Sequence, residues 1–215
     1  MKITRSEVPP LSNYRDYKKY IRIDFLHKCI YCGVHENAYS GYRRFHIDHI
    51  KPKSDPRFSH LVNTYSNLVY CCPDCNIMKT ASWPSDNPII DGFGWLDPEI
   101  YDYDTHYRIT ASSENLSIEA FDKLGRWIVE QLALLHPARI SIIENWYCGI
   151  AAVTEALSKV DYILEFGDSL PLGVKESMLD VKRSLEMRLE KLTKPEKFQI
   201  MSNSFPGIKY EGNQD

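Results

Sequence analysis

Residues 65–79 read YSNLVYCCPDCNIMK, and the character of the chain changes twice along this stretch. The apolar run LVYC suits a short strand or turn, and CPDCNIMK suits a cysteine turn that feeds a helix. An earlier stretch, CIYCG at residues 29–33, makes the same kind of turn. The two C-x-x-C pairs, Cys29/Cys32 and Cys72/Cys75, are separated by 39 residues. Each offers two sulfurs at the bite a zinc knuckle needs, so together they can complete one tetrahedral site. Cys71 stands beside Cys72, but the C-x-x-C spacing favours Cys72. Cys71 and Cys148 read as small buried apolar residues. Four thiolates leave no open coordination position, so this zinc is expected to be structural and to supply much of the folding energy of a unit with a small core.

Between the pairs lies FHIDHIKPKS, residues 45–54. FHIDHI alternates as a short strand with His46 and Asp48 on one face and Phe45 and Ile47 on the other, and Pro52 closes it. Hydrolysis of a phosphodiester needs a base to activate water, a cation to stabilise charge on the phosphate and leaving oxygen, and donors to hold the phosphate. His49 can be the base, because an imidazole accepts a proton at neutral pH. Asp48 is a hard oxygen ligand suited to Mg²⁺, and Asn76, placed by the cysteine before it, offers a second oxygen. Lys79 follows one helical turn later and is expected to reach a phosphate oxygen. His46 either joins the metal or, as the preferred reading, orients Asp48 from behind. Arg43, Arg44, Lys51, Lys53 and Arg57 crowd around Asp48 and can follow a phosphate backbone, which gives affinity without sequence information.

HIDHIKP followed by YSNLVYCCPDCNIMK, framed by CIYCG, resembles the zinc-containing branch of the HNH endonucleases over about residues 12 to 85. The resemblance implies a ββα-metal fold, with His49 as general base, Asp48 as metal ligand and Asn67 as the middle asparagine that shapes the loop and holds the histidine. Asn76 takes the place of the final histidine as second metal ligand. Two oxygen ligands then favour Mg²⁺ or Mn²⁺ over zinc at that position. Stand-alone HNH proteins of this size are similar to those of Septu-type and retron-associated anti-phage sets, which implies an ATPase partner. The leading expectation is a nuclease cutting DNA within a defence or restriction complex. One alternative keeps the chemistry and makes the substrate tRNA or other RNA. Another is a non-catalytic zinc module that binds nucleic acid, which leaves Asp48, His49, Asn67 and Asn76 without a purpose.

The fold class expected is α+β: a zinc-stapled ββα unit over residues 1–98, then a mainly helical region over 99–215 with possible partner docking. The Pro- and Gly-rich stretch SWPSDNPIIDGFGWLDP marks the boundary. YDTHYRIT and GRWIVEQL are candidate strands, the second with a helical alternative. Pro137 opens a long helical pattern, and a second helix is expected over about 174–192, with PLG as the turn between. Before the first knuckle, SNYRDYKKYIRIDFLHK suits a helix capped at Ser12 or Asn13 and ending near His27. Residues 97–168 hold 13 Asp or Glu against 5 Lys or Arg. That local charge of −8 within a total of −3 leaves +5 elsewhere, so a polyanion can approach only the remaining surface. No apolar run approaches membrane-spanning length and the amino terminus has no signal-peptide core, so a cytoplasmic location is expected.

Overall fold

The computed structural model describes residues 2–165 and 170–193. The tail after Lys194, read from sequence as extended or disordered, lies outside the described residues. The amino-terminal arm is pinned by a backbone bond from Ile3 to the Pro98 carbonyl. Asn13 then caps a 3-10 turn, Tyr14–Tyr17, its Oδ1 accepting from the Arg15 amide at 3.0 Å. Helix α1 (Lys18–Asp24) follows directly. Tyr17, Ile21 and Phe25 recur every four residues and are all buried, which is the stripe a helix lays on a core. Leu26 and His27 take positive φ, so the helix ends there and the chain turns into the first knuckle.

Strand β1 (His46–His49) pairs antiparallel with β2 (Leu68–Cys71), with His46 opposite Cys71 and Asp48 opposite Val69. Helix α2 (Pro73–Lys79) leaves β2 through Cys72, whose Sγ accepts the Cys75 amide as an N-cap, and Pro73 occupies the first turn where its missing N–H costs nothing. Hairpin and helix together make the ββα unit. Glu36, fully buried, joins α1 to β2: it accepts from Arg22 Nε at 2.8 Å and from Tyr70 Oη at 2.6 Å. Burial pushes its pKa up, but hydrogen bonds from His27, Arg22 and Tyr70 outweigh that and hold it at about 2.

Downstream come α3 (Pro88–Asp91), the hairpin β3 (Tyr107–Ala111) and β4 (Leu116–Ala120), then α4 (Lys123–Gln131). The stretch GRWIVEQL takes its helical alternative. Asp122 caps α4 by accepting the Gly125 amide at 2.7 Å, and Leu124, Ile128, Val129 and Leu132 are buried at helical spacing. Two long helices follow, α5 (Pro137–Glu165) and α6 (Leu172–Thr193). PLG does not form a separate turn, since Leu172 and Gly173 already belong to α6.

The chain divides into two compact units, Met1–Ala151 and Ala152–Asp215. The β3–β4 hairpin, α4 and the first turns of α5 belong to the first unit with the ββα motif. Tyr107 donates its hydroxyl to the Tyr31 carbonyl in the first knuckle. Trp95 meets Tyr31 edge-on at 5.8 Å, and Tyr103 does so at 5.9 Å. In the second unit Lys182 of α6 pairs with Asp161 at 2.6 Å, and no residue of α6 is buried. None of the described helices is long and apolar enough to cross a membrane.

Candidate active site

The two knuckles converge. Sγ atoms of Cys29, Cys32, Cys72 and Cys75 all lie within 4.8 Å of one another and are buried. A tetrahedral zinc with Zn–S bonds of about 2.3 Å separates its sulfurs by about 3.8 Å. Cys32 and Cys72, from opposite knuckles, stand 3.8 Å apart. The residues therefore fit a structural zinc. Cys71 is not in the cluster: its thiol lies 3.9 Å from the His46 carbonyl and 3.9 Å from Asn76 Oδ1. Burial, with the nearby Asp48 adding to it, raises the Cys71 pKa and keeps the thiol neutral.

Asp48 projects from β1 with its side chain 12% exposed, and three donors reach it. Tyr31 Oη lies 3.0 Å and Lys79 Nζ 3.3 Å from Oδ2, while the His49 amide donates to Oδ1 at 2.8 Å. A carboxylate has about four lone-pair sites, so one acceptor position on Oδ1 stays open to a cation. Asn76 sits on α2 across from the hairpin, its amide oxygen 3.9 Å from the thiol of Cys71 at the end of β2. Two half-buried hard oxygens suit Mg²⁺ or Mn²⁺, and neither residue offers a soft donor. His46, on the same strand face as Asp48, is exposed, and partial desolvation followed by repulsion from Lys18 lowers its pKa.

His49 points to the other face of β1 and is only 5% exposed. Its Nε2 lies 3.0 Å from the Val62 carbonyl, and the Tyr14 ring packs edge-on at 4.8 Å. A carbonyl only accepts, so Nε2 carries the hydrogen and the neutral ring keeps its lone pair on Nδ1. Burial lowers the pKa, partly opposed by the Val62 bond and by Asp48, so the ring is neutral at physiological pH. The side-chain hydrogen bonds of Asn67 go to the backbone beside the histidine. Its Oδ1 accepts the Lys51 amide at 2.9 Å, and its Nδ2 donates to the Lys51 carbonyl at 3.0 Å and, at 3.4 Å, to the Leu61 carbonyl next to Val62. It thus clamps both ends of the loop that presents the Val62 carbonyl.

Lys79 lies elsewhere than expected. Its side chain is 0% exposed, and Nζ donates to the His49 carbonyl at 2.8 Å with the Trp95 ring beneath it. It faces the back of Asp48 rather than the open surface. Among the other cations, Arg43 and Arg44 are exposed ahead of β1. Lys53 donates to Tyr14 Oη at 2.9 Å, which ties it to the ring packed on His49. Lys51 Nζ lies 5.5 Å from the Trp83 ring, and Arg57 pairs with Asp55 at 2.7 Å, so part of its charge is met locally.

Sequence reasoning missed Tyr31, Tyr14, Trp95 and the Val62 carbonyl. Tyr31 stands inside the C-x-x-C turn, a position whose only sequence signal is the cysteines on either side. A backbone carbonyl carries no residue signal at all.

No curated protein and no solved structure matches this chain. Residues 29–82 match the family model described as HNH endonuclease. That segment contains both cysteine pairs together with Asp48, His49, Asn67, Asn76 and Lys79, so the match falls on the knuckles and the ββα unit.

Proposed function

We propose that the chain is a metal-dependent endonuclease that hydrolyses phosphodiester bonds in DNA with His49 as general base. The observation that carries the reading is the bond from His49 Nε2 to the Val62 carbonyl at 3.0 Å, which leaves Nδ1 as the proton acceptor. Nδ1 takes a proton from water as the water oxygen bonds to phosphorus; the P–O bond to the leaving oxygen breaks, and solvent protonates that oxygen. Asp48 and Asn76 would hold Mg²⁺ or Mn²⁺, which when bound stabilises charge on the phosphate and the leaving oxygen. Lys79 and Tyr31 aim Asp48, Asn67 fixes the loop behind His49, and His46 borders the same face. Arg43, Arg44, Lys51, Lys53 and Arg57 hold the backbone phosphates, with Arg57 contributing least because Asp55 already pairs with it.

DNA is assigned over RNA on the likeness to HNH nucleases, and on the same likeness we assign the protein to an anti-phage or restriction complex beside an ATPase. The test is incubation with plasmid, single-stranded DNA and total tRNA in Mg²⁺, Mn²⁺ or EDTA. Plasmid should be nicked or linearised with either cation and untouched in EDTA, and His49→Ala should be silent while keeping zinc content and helicity. Cleavage by His49→Ala at the wild-type rate would overturn the assigned base, and cleavage of tRNA alone would move the substrate to RNA.

A further inference from the structure

The first turns of α5 rest on the two knuckles. Arg139, 7% exposed, donates from Nη2 to Cys75 Sγ at 2.9 Å and from Nη1 to Cys72 Sγ at 3.8 Å. Nη1 also reaches Asp74 Oδ2 and, at 3.2 Å, Tyr39 Oη, itself hydrogen-bonded to Asp74 at 2.6 Å. Two turns further along the same face, Trp146 stacks on His35 at 5.3 Å with the planes 15° apart. Tyr147 Oη donates to the Cys32 carbonyl at 3.2 Å. Ile143, between them, is fully buried. Positions 139, 143, 146 and 147 form one i, i+4, i+7, i+8 stripe. Its polar members end on Cys32, Cys72, Asp74 and Cys75, and its aromatic member on the loop just past Cys32.

Charge explains the arginine. Four thiolates around a dication leave two net negative charges in a buried place, which is costly unless donors and counter-charge meet the sulfurs. The Cys75 amide meets Cys72 Sγ at 3.4 Å, and Arg139 brings the cation. The arginine has its own cost: its Nε is buried with no hydrogen-bond partner among the described residues. A buried guanidinium is unfavourable unless anions meet it, and here Asp74 and the sulfur cluster together offset that cost.

We propose that Arg139 is the counter-charge of the zinc–thiolate centre, so that zinc occupancy and the seating of residues 137–147 on the knuckles are one linked equilibrium. The zinc centre then does more than staple the ββα unit. It is the anchor by which residues 137–147 are held to the knuckles, and loss of the metal releases them from that seat. Without the dication nothing draws the four sulfurs together, and of its partners Arg139 keeps only Asp74 and Tyr39.

The test uses the full chain and reads metal and protection rather than cleavage. Arg139→Gln keeps donors but removes charge; its zinc dissociation constant, from competition with a chromogenic chelator, should rise at least about tenfold, the size expected when an outer partner of a metal ligand is lost. Arg139→Lys should recover part of the loss. In parallel, hydrogen exchange on the wild-type protein, zinc-loaded and chelator-stripped, should show residues 137–147 protected only when loaded. This second measurement decides the matter even if the glutamine variant does not fold. Wild-type zinc affinity in Arg139→Gln would overturn the proposal, and so would unchanged protection of 137–147 after the metal is removed.

Discussion

At Asp48, Lys79 and Tyr31 meet the same carboxylate oxygen from behind, and the consequence is a side chain held in one orientation. A lysine one turn after Asn76 suggests a phosphate contact, yet its Nζ is spent on Asp48 and on the His49 carbonyl. The two roles differ in what their loss does. A phosphate-contacting lysine, when removed, lowers the salt dependence of nucleic-acid binding by about one unit of slope. A buried positioning lysine leaves that slope alone and strands a carbonyl and a carboxylate, at about 1–3 kcal/mol. Lys79→Met is therefore expected to lower unfolding free energy by that amount, depress cleavage strongly and leave the salt slope of binding unchanged. Denaturant unfolding and a salt series of binding isotherms check both halves.

At the scale of elements, the hairpin and α2 are short, and neither would be stable alone. What holds them is the contact each makes beyond itself: Cys72 as the cap of α2, Asn67 across the loop, and the stripe of α5 on the knuckles. Gly33 shows how tightly that stripe seats. It takes φ of 66°, and a Cβ there would overlap the Tyr147 hydroxyl while leaving the ring carbon that bears it at 3.4 Å. Gly33→Ala is expected to cost about 1–3 kcal/mol from the left-handed backbone, and more from the clash. Tyr147→Phe alone loses one hydrogen bond, about 0.5–1.5 kcal/mol. The double variant should be more stable than the sum of the two single effects predicts, because removing the hydroxyl removes the clash. A double-mutant cycle by denaturant unfolding reads this coupling, and strict additivity would contradict the seat described for α5.

At the scale of the whole molecule, the first unit runs to Ala151, well past the Pro- and Gly-rich stretch that ends near residue 98. That stretch is a pause in the chain rather than the end of its packing: Trp95 lies in the core of the unit, Tyr107 bonds to Tyr31, and Arg139 reaches the thiolates. A chain ending at residue 151 is expected to bind zinc with near wild-type affinity and to unfold cooperatively. A chain ending at residue 98 is expected to lose both properties. Zinc titration and thermal unfolding of the two truncations compare them directly. The acidic surplus of residues 97–168 belongs in part to this same unit, so the charge contrast read from the sequence lies partly within one folded body and not only between two.

The sequence by itself determined the ligands and the local elements: paired cysteines at knuckle spacing, the alternating strand that carries Asp48, the helix that follows Cys72, and the three- and four-residue stripe of α5. Those features depend on neighbours within a turn or two, where spacing alone sets which face a side chain occupies. Only the tertiary structure decided which nitrogen of His49 meets the Val62 carbonyl, that Lys79 pairs with Asp48 from a buried position, and that an arginine 64 residues beyond Cys75 meets its sulfur. Each of these depends on burial and on a partner far along the chain, and the cost of leaving a charge or a carbonyl unmet inside the protein is what selects the partner.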